Sequence, residues 1–150
     1  MNIQNVKRGS KITLYNGVYA ILLSLFYIFF GKFILKGNLK VVDSFWQLFS
    51  KYNPGLAYML ILINILLGLL LLSFGIMTIY LSIFIIKRKD KFAWVILFIS
   101  GLITWAGLLT INFLIKNLLM IILAFVGWII FIIGMVLPIR YYLQKSYPDF

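Results

Sequence analysis

The sequence predicts an all-α integral membrane protein: an antiparallel, left-handed four-helix transmembrane bundle with a short interfacial helix in its first outer loop. Of its 150 residues, 64% are hydrophobic and 11% charged, against about half and about a quarter in soluble domains. Ala57 to Ile86 runs for 30 residues without a charge, and Phe92 to Ile115 for 24. No soluble core buries two such runs. Between them stands a charged knot, Lys87-Arg88-Lys89-Asp90-Lys91, which reads as a tight cytoplasmic turn between two spans. A single membrane domain over residues 1–150 is expected.

The elements follow in order. Lys7, Arg8 and Lys11 precede an apolar run from Ile12 to Leu35. The run is longer than the core of a secretory signal and has no small-x-small cleavage site, so it is expected to stay as the first span. Lys32, near its far end, is placed to snorkel toward the headgroups. In the loop that follows, Val41, Val42, Phe45, Trp46, Leu48, Phe49 and Tyr52 approximate a helical stripe. Residues 43–52 therefore read either as an interfacial helix anchored by Trp46 and Tyr52 or as a loop folded over the bundle. Asn53-Pro54-Gly55 breaks the chain before the second span, residues 57–86. The third span is placed at 92–115. Lys116-Asn117 makes a short outer turn, and the fourth span is placed at 118–139, with Pro138 near its end.

Nine Lys and Arg residues lie on the side of the N-terminus, the knot and the C-terminal tail, against Lys32, Lys36, Lys40, Lys51 and Lys116 on the other. The bias puts both termini and the knot in the cytoplasm of a multi-pass cell-membrane protein. Small residues at three-four spacing set the packing faces: Gly17, Ala20, Ser24, Tyr27 and Gly31 on the first helix, then Asn64, Gly68, Leu71, Gly75, Thr78 and Ser82 on the second. The third reads Ala93, Leu97, Ser100, Thr104 and Gly107, and the fourth Ala124, Gly127, Phe131, Gly134 and Pro138. Membrane helices associate through such close-packed faces, and a 3.5-residue repeat implies a left-handed bundle.

The net charge of +11 does not point to nucleic acid, because the basic residues sit at the ends of apolar runs. With no Cys, no His and only Asp43, Asp90 and Asp149 as carboxylates, no catalytic residue, metal site or cofactor is expected. Candidate binding residues are few. Trp105 and Trp128 are equidistant from the outer turn and so share a depth; they read as the wall of a hydrophobic ligand pocket or as bulky packing against glycine. Lys32, Asn64 and Asn112 lie at similar depth; they read as an anion or lipid-phosphate site or as a snorkelled lysine with interhelical hydrogen bonds. Lys87, Arg88, Lys89 and Lys91 read as an anionic-lipid contact or as topology signals alone.

The run Lys87-Arg88-Lys89-Asp90-Lys91-Phe92-Ala93-Trp94, with Asn16-Gly17 in the first helix and Trp46 in the first loop, resembles small uncharacterised prokaryotic four-span membrane proteins. The resemblance implies four spans and supplies no activity or ligand. The expected function is that of a non-enzymatic membrane component, an accessory subunit or a module binding lipid or a partner helix. The alternative is a small carrier or channel for a hydrophobic or anionic small molecule, without carboxylate coupling. Expected partners are membrane lipids and a partner membrane protein or a second copy of the chain.

Overall fold

The computed structural model describes residues 3–31, 34, 50–114 and 117–144. The elements among them are helices: α1 (Ile3–Phe29), α2 (Pro54–Arg88), α3 (Lys91–Leu114), α4 (Leu118–Val136) and the short α5 (Ile139–Gln144). The first four are long and apolar enough to cross a membrane. Their outward faces carry exposed Leu, Ile, Val and Phe along much of their length, a surface suited to hydrocarbon rather than water. Lys32, and residues 43–49 of the expected interfacial helix, lie outside the described residues.

Helix α1 begins nine residues before the apolar run that starts at Ile12. The reason is amphipathic: Val6, Gly9, Ser10 and Thr13 are buried, while Lys7, Arg8 and Lys11 are exposed. A hydropathy boundary stops at the charges, but the inward face continues past them.

Helix α2 starts with Pro54 in its first turn, where a missing N–H costs nothing. Its 35 residues span about 52 Å, more than the roughly 30 Å of hydrocarbon, so it tilts or projects. Tyr58 and Tyr80, exposed by 63% and 68%, stand about 33 Å apart along it, as two interfacial rings would.

At the knot, Lys89 closes α2 in the left-handed region (φ 52°, ψ 38°), its N–H donating to Ile85 O at 2.8 Å. Asp90 then opens α3, its Oδ1 accepting from the Ala93 N–H at 3.0 Å. The left-handed backbone suits glycine better than lysine. Lys89→Gly is expected to stabilise the fold by about 1 kcal/mol, read as a higher unfolding midpoint in bilayers.

At the other end Asn117 caps α4, its Oδ1 accepting from Met120 N–H at 3.2 Å. Helix α4 stops at Val136 and the chain resumes as α5 because Pro138 has no N–H to give. The freed turn lies against Gly9: a Cβ there would stand 2.6 Å from Gly134 O and 2.7 Å from Pro138 Cδ.

The four long helices form a ring, α1 packing on α2 and α4, and α3 on α4 and α2. Between α1 and α2 the backbones touch. A Cβ on Gly17 would lie 3.0 Å from Gly75 O, one on Gly75 3.0 Å from Gly17 O, and one on Gly68 3.0 Å from Ser24 O. The faces read for α1, α2 and α4 are buried throughout. The face read for α3 is not: Ser100 and Thr104 are half-buried and Gly107 is exposed. Ala93 and Leu97 do face inward, and the other inward residues of α3 are Trp94, Gly101, Trp105, Leu108 and Asn112. Large rings take the place of small residues because the facing helix supplies the hole. The Trp105 ring fills the space beside Gly127, and the Phe131 ring fills that beside Gly101.

Candidate functional site

The centre of the bundle is a closed plug built from three helices. Asn16 on α1 and Trp105 on α3 are both fully buried. Trp105 Nε1–H donates to Asn16 Oδ1 at 3.1 Å, and Asn16 Nδ2 donates to the Gly127 carbonyl on α4 at 2.7 Å. The carbonyl of Gly127 is within reach because no side chain holds α1 and the Trp105 ring away from it. The Trp105 ring is stacked by Tyr19 (centroids 6.2 Å apart, planes 28° apart) and met edge-on by Phe74 (6.5 Å, 89°). Tyr19 Oη in turn donates to Leu123 O at 2.9 Å. Amide, indole and phenol are therefore all satisfied inside the protein, as a hydrocarbon surround demands.

Trp128 is half-buried, its ring 6.2 Å from that of Phe125. It adjoins Gly127 and so shares the depth of Trp105, but Trp105 is enclosed by Tyr19, Phe74 and Gly127 rather than set beside it.

Nearer the outer turn, Asn112 Nδ2 donates to Leu108 O at 2.8 Å and lies 2.9 Å from Tyr27 Oη; Tyr27 Oη is 3.1 Å from Asn112 Oδ1. Asn64 Nδ2 donates to Leu60 O of its own helix at 3.0 Å, and its Cβ is 3.7 Å from where a Cβ on Gly31 would be. Asn112 is thus brought to Tyr27, while Asn64 is brought to the turn just before Lys32. In the knot, Lys87, Arg88 and Lys91 are exposed and Lys89 is half-buried. The Arg88 guanidinium lies 5.1 Å over the Phe84 ring, a contact worth about 0.5–1 kcal/mol where exposed.

Two groups escaped the sequence reading. Asn16 is an amide inside the first apolar run, the same signal that singled out Asn64 and Asn112. Thr78 and Ser82 read as packing residues in the sequence, yet their hydroxyls are buried with no hydrogen-bond partner among the described residues. Outside the ring of helices, a groove of about 370 Å³ runs between α2 and α3, lined by Leu67, Leu70, Ile103, Thr104, Gly107 and Ile111 among others. A Cβ on Gly107 would meet nothing within 4 Å. Thr104 Oγ1 donates to Ser100 O at 2.8 Å, so its hydroxyl is already engaged within the helix.

Comparison of the chain with protein-family models, with curated proteins and with solved structures finds no match.

Proposed function

We propose that the protein is a non-enzymatic membrane component that docks a transmembrane helix of a partner along the α2–α3 groove. The observation that carries this is Gly107, open on the outside of α3 at the wall of an apolar groove. Ser100, Thr104 and Gly107 recur at helix-face spacing, and close approach over such residues drives helix association in lipid. The same device holds α1 against α2 through Gly17 and Gly75. An acyl chain gains nothing particular from a glycine in a groove, whereas a helix backbone approaches more closely over one.

In this reading the bundle is left-handed and antiparallel; the antiparallel course of α1 against α2 is supported by contacts that climb α1 from Gly17 to Ser24 while descending α2 from Gly75 to Gly68. Both termini and the knot face the cytoplasm, and Lys87, Arg88, Lys89 and Lys91 rest on anionic headgroups. The protein contains no cysteine, so Gly107→Cys introduces a single thiol. Labelled with a benzophenone maleimide and irradiated in native membranes, Gly107→Cys is expected to give one discrete protein adduct, and Leu66→Cys, on the exposed face of α2, none. An adduct of two copies identifies the partner as a second chain. Failure of Gly107→Cys to form any protein adduct would remove the docking reading.

The second reading, a carrier or channel for a small hydrophobic or anionic molecule, has its own support in the polar residues of the core. Ser10, Thr13, Asn16, Thr78 and Ser82 are all buried in the half of the bundle nearer the knot.

A further inference from the structure

Hydroxyls on membrane helices ordinarily bond back to their own backbone. Thr13, Ser24, Ser73, Ser100, Thr104 and Thr110 each donate to a carbonyl three or four residues earlier. Even Ser73 and Thr110, which face outward, are satisfied this way. Thr78 Oγ1 and Ser82 Oγ, fully buried on the inner face of α2, are not. The same is true of Trp128 Nε1 on α4, at the depth of Trp105, and of two ring groups at the knot end, Trp94 Nε1 on α3 and Tyr142 Oη on α5. Trp94 and Tyr142 are 6% and 1% exposed and stack with centroids 5.2 Å apart and planes at 24°. Burial pushes the Tyr142 hydroxyl up to about 12, with Tyr141 and Asp90 adding to the rise, so it remains a donor at neutral pH.

Thr78, Ser82, Trp94 and Tyr142 follow one another in depth toward the knot. Thr78 and Ser82 stand one turn apart, roughly 6 Å along α2, and Trp94 lies about one turn nearer the knot than Ser82. One water making two hydrogen bonds spans about 6 Å. A buried water needs two to four polar partners, and buried polar atoms with no partner at all are rare in folded proteins. Four of these five lie on the knot side of mid-depth and call for an occupant. The register set by Gly17 against Gly75 places Thr78 beside the Asn16–Trp105–Gly127 plug, where the Asn16 amide and the Trp105 indole are already paired with each other and with Gly127 O.

We propose that the knot end of the core holds a column of buried water. It runs from Trp94 and Tyr142 past Ser82 to Thr78 and stops at the plug. The bundle is then hydrated from the knot to mid-depth and dry beyond it. The site takes water through four donors and no charge. It is independent of the docking groove, which lies on the outer side of the same helices.

Solvent exchange of the indole N–H groups tests this in the full chain, ¹⁵N-labelled at tryptophan and held in lipid nanodiscs. Trp94 Nε1–H is expected to exchange with D₂O at least tenfold faster than Trp105 Nε1–H, although both are buried. The double variant Thr78→Val and Ser82→Ala keeps side-chain volume but removes two rungs, and is expected to slow Trp94 exchange at least threefold. Equal, slow exchange at both indoles would overturn the column. So would fast Trp94 exchange that the double variant leaves unchanged, since that is fraying at the start of α3.

Discussion

Trp105→Ala is expected to destabilise the bundle by about 3 kcal/mol, the lower end for removing a buried aromatic ring. Part of the usual penalty is absent, because the separated helices remain in lipid and the transfer term shrinks. What remains is the cavity between Tyr19, Phe74 and Gly127 and the loss of the N–H that pairs with Asn16 Oδ1. Trp105→Phe separates the two contributions. It keeps most of the ring and drops the donor, and is expected to cost about 1 kcal/mol. Reversible unfolding in bilayers measures both. A Trp105→Ala cost below that of Trp105→Phe contradicts the plug.

The second large effect is expected at the glycines that face rings. A Cβ on Gly127 falls inside the contact distance of the Trp105 ring, and one on Gly101 inside that of Phe131. Trp105 has no room to retreat, since Tyr19 and Phe74 flank it. Gly127→Ala and Gly101→Ala are therefore expected to cost about 2–3 kcal/mol each, the upper part of the range for overpacking. Gly107→Ala, which meets no atom within 4 Å, is expected to be neutral or stabilising by up to about 1 kcal/mol through helix propensity. The same substitution on three glycines thus separates inward packing from an open outer face.

That division also explains what the sequence could and could not disclose. Four spans are legible in the long uncharged runs and the charged turn between two of them. The inward faces of α1, α2 and α4 are legible because small residues mark them at three-four spacing. On α3 the same rule holds at Ala93 and Leu97 and leaves the inward face from Ser100 onward. Trp105 and Phe131 are admitted to the core by Gly127 and Gly101 on the opposite helix, and a one-helix pattern carries no record of its partner. The inward face is nevertheless present in the sequence, since Asn112, an amide in an apolar run, and Trp105, an indole at mid-depth, lie seven residues apart. Reading them as one stripe turns Ser100, Thr104 and Gly107 outward. Asn16 and the N-terminal turns of α1 were missed for a related reason: hydropathy stops at Lys11, while the periodicity of Val6, Gly9, Ser10 and Thr13 continues. The missing partners of Thr78 and Ser82 depend on rotamers, which no sequence pattern records.

The most direct test of the docking account is the migration of Gly107→Leu against the parent chain, both extracted from native membranes in mild detergent and compared on native gels. The account predicts that the parent runs as a complex and Gly107→Leu runs as a single chain, with unfolding midpoints in bilayers unchanged. A Gly107→Leu protein that still runs with its partner at full occupancy would contradict it.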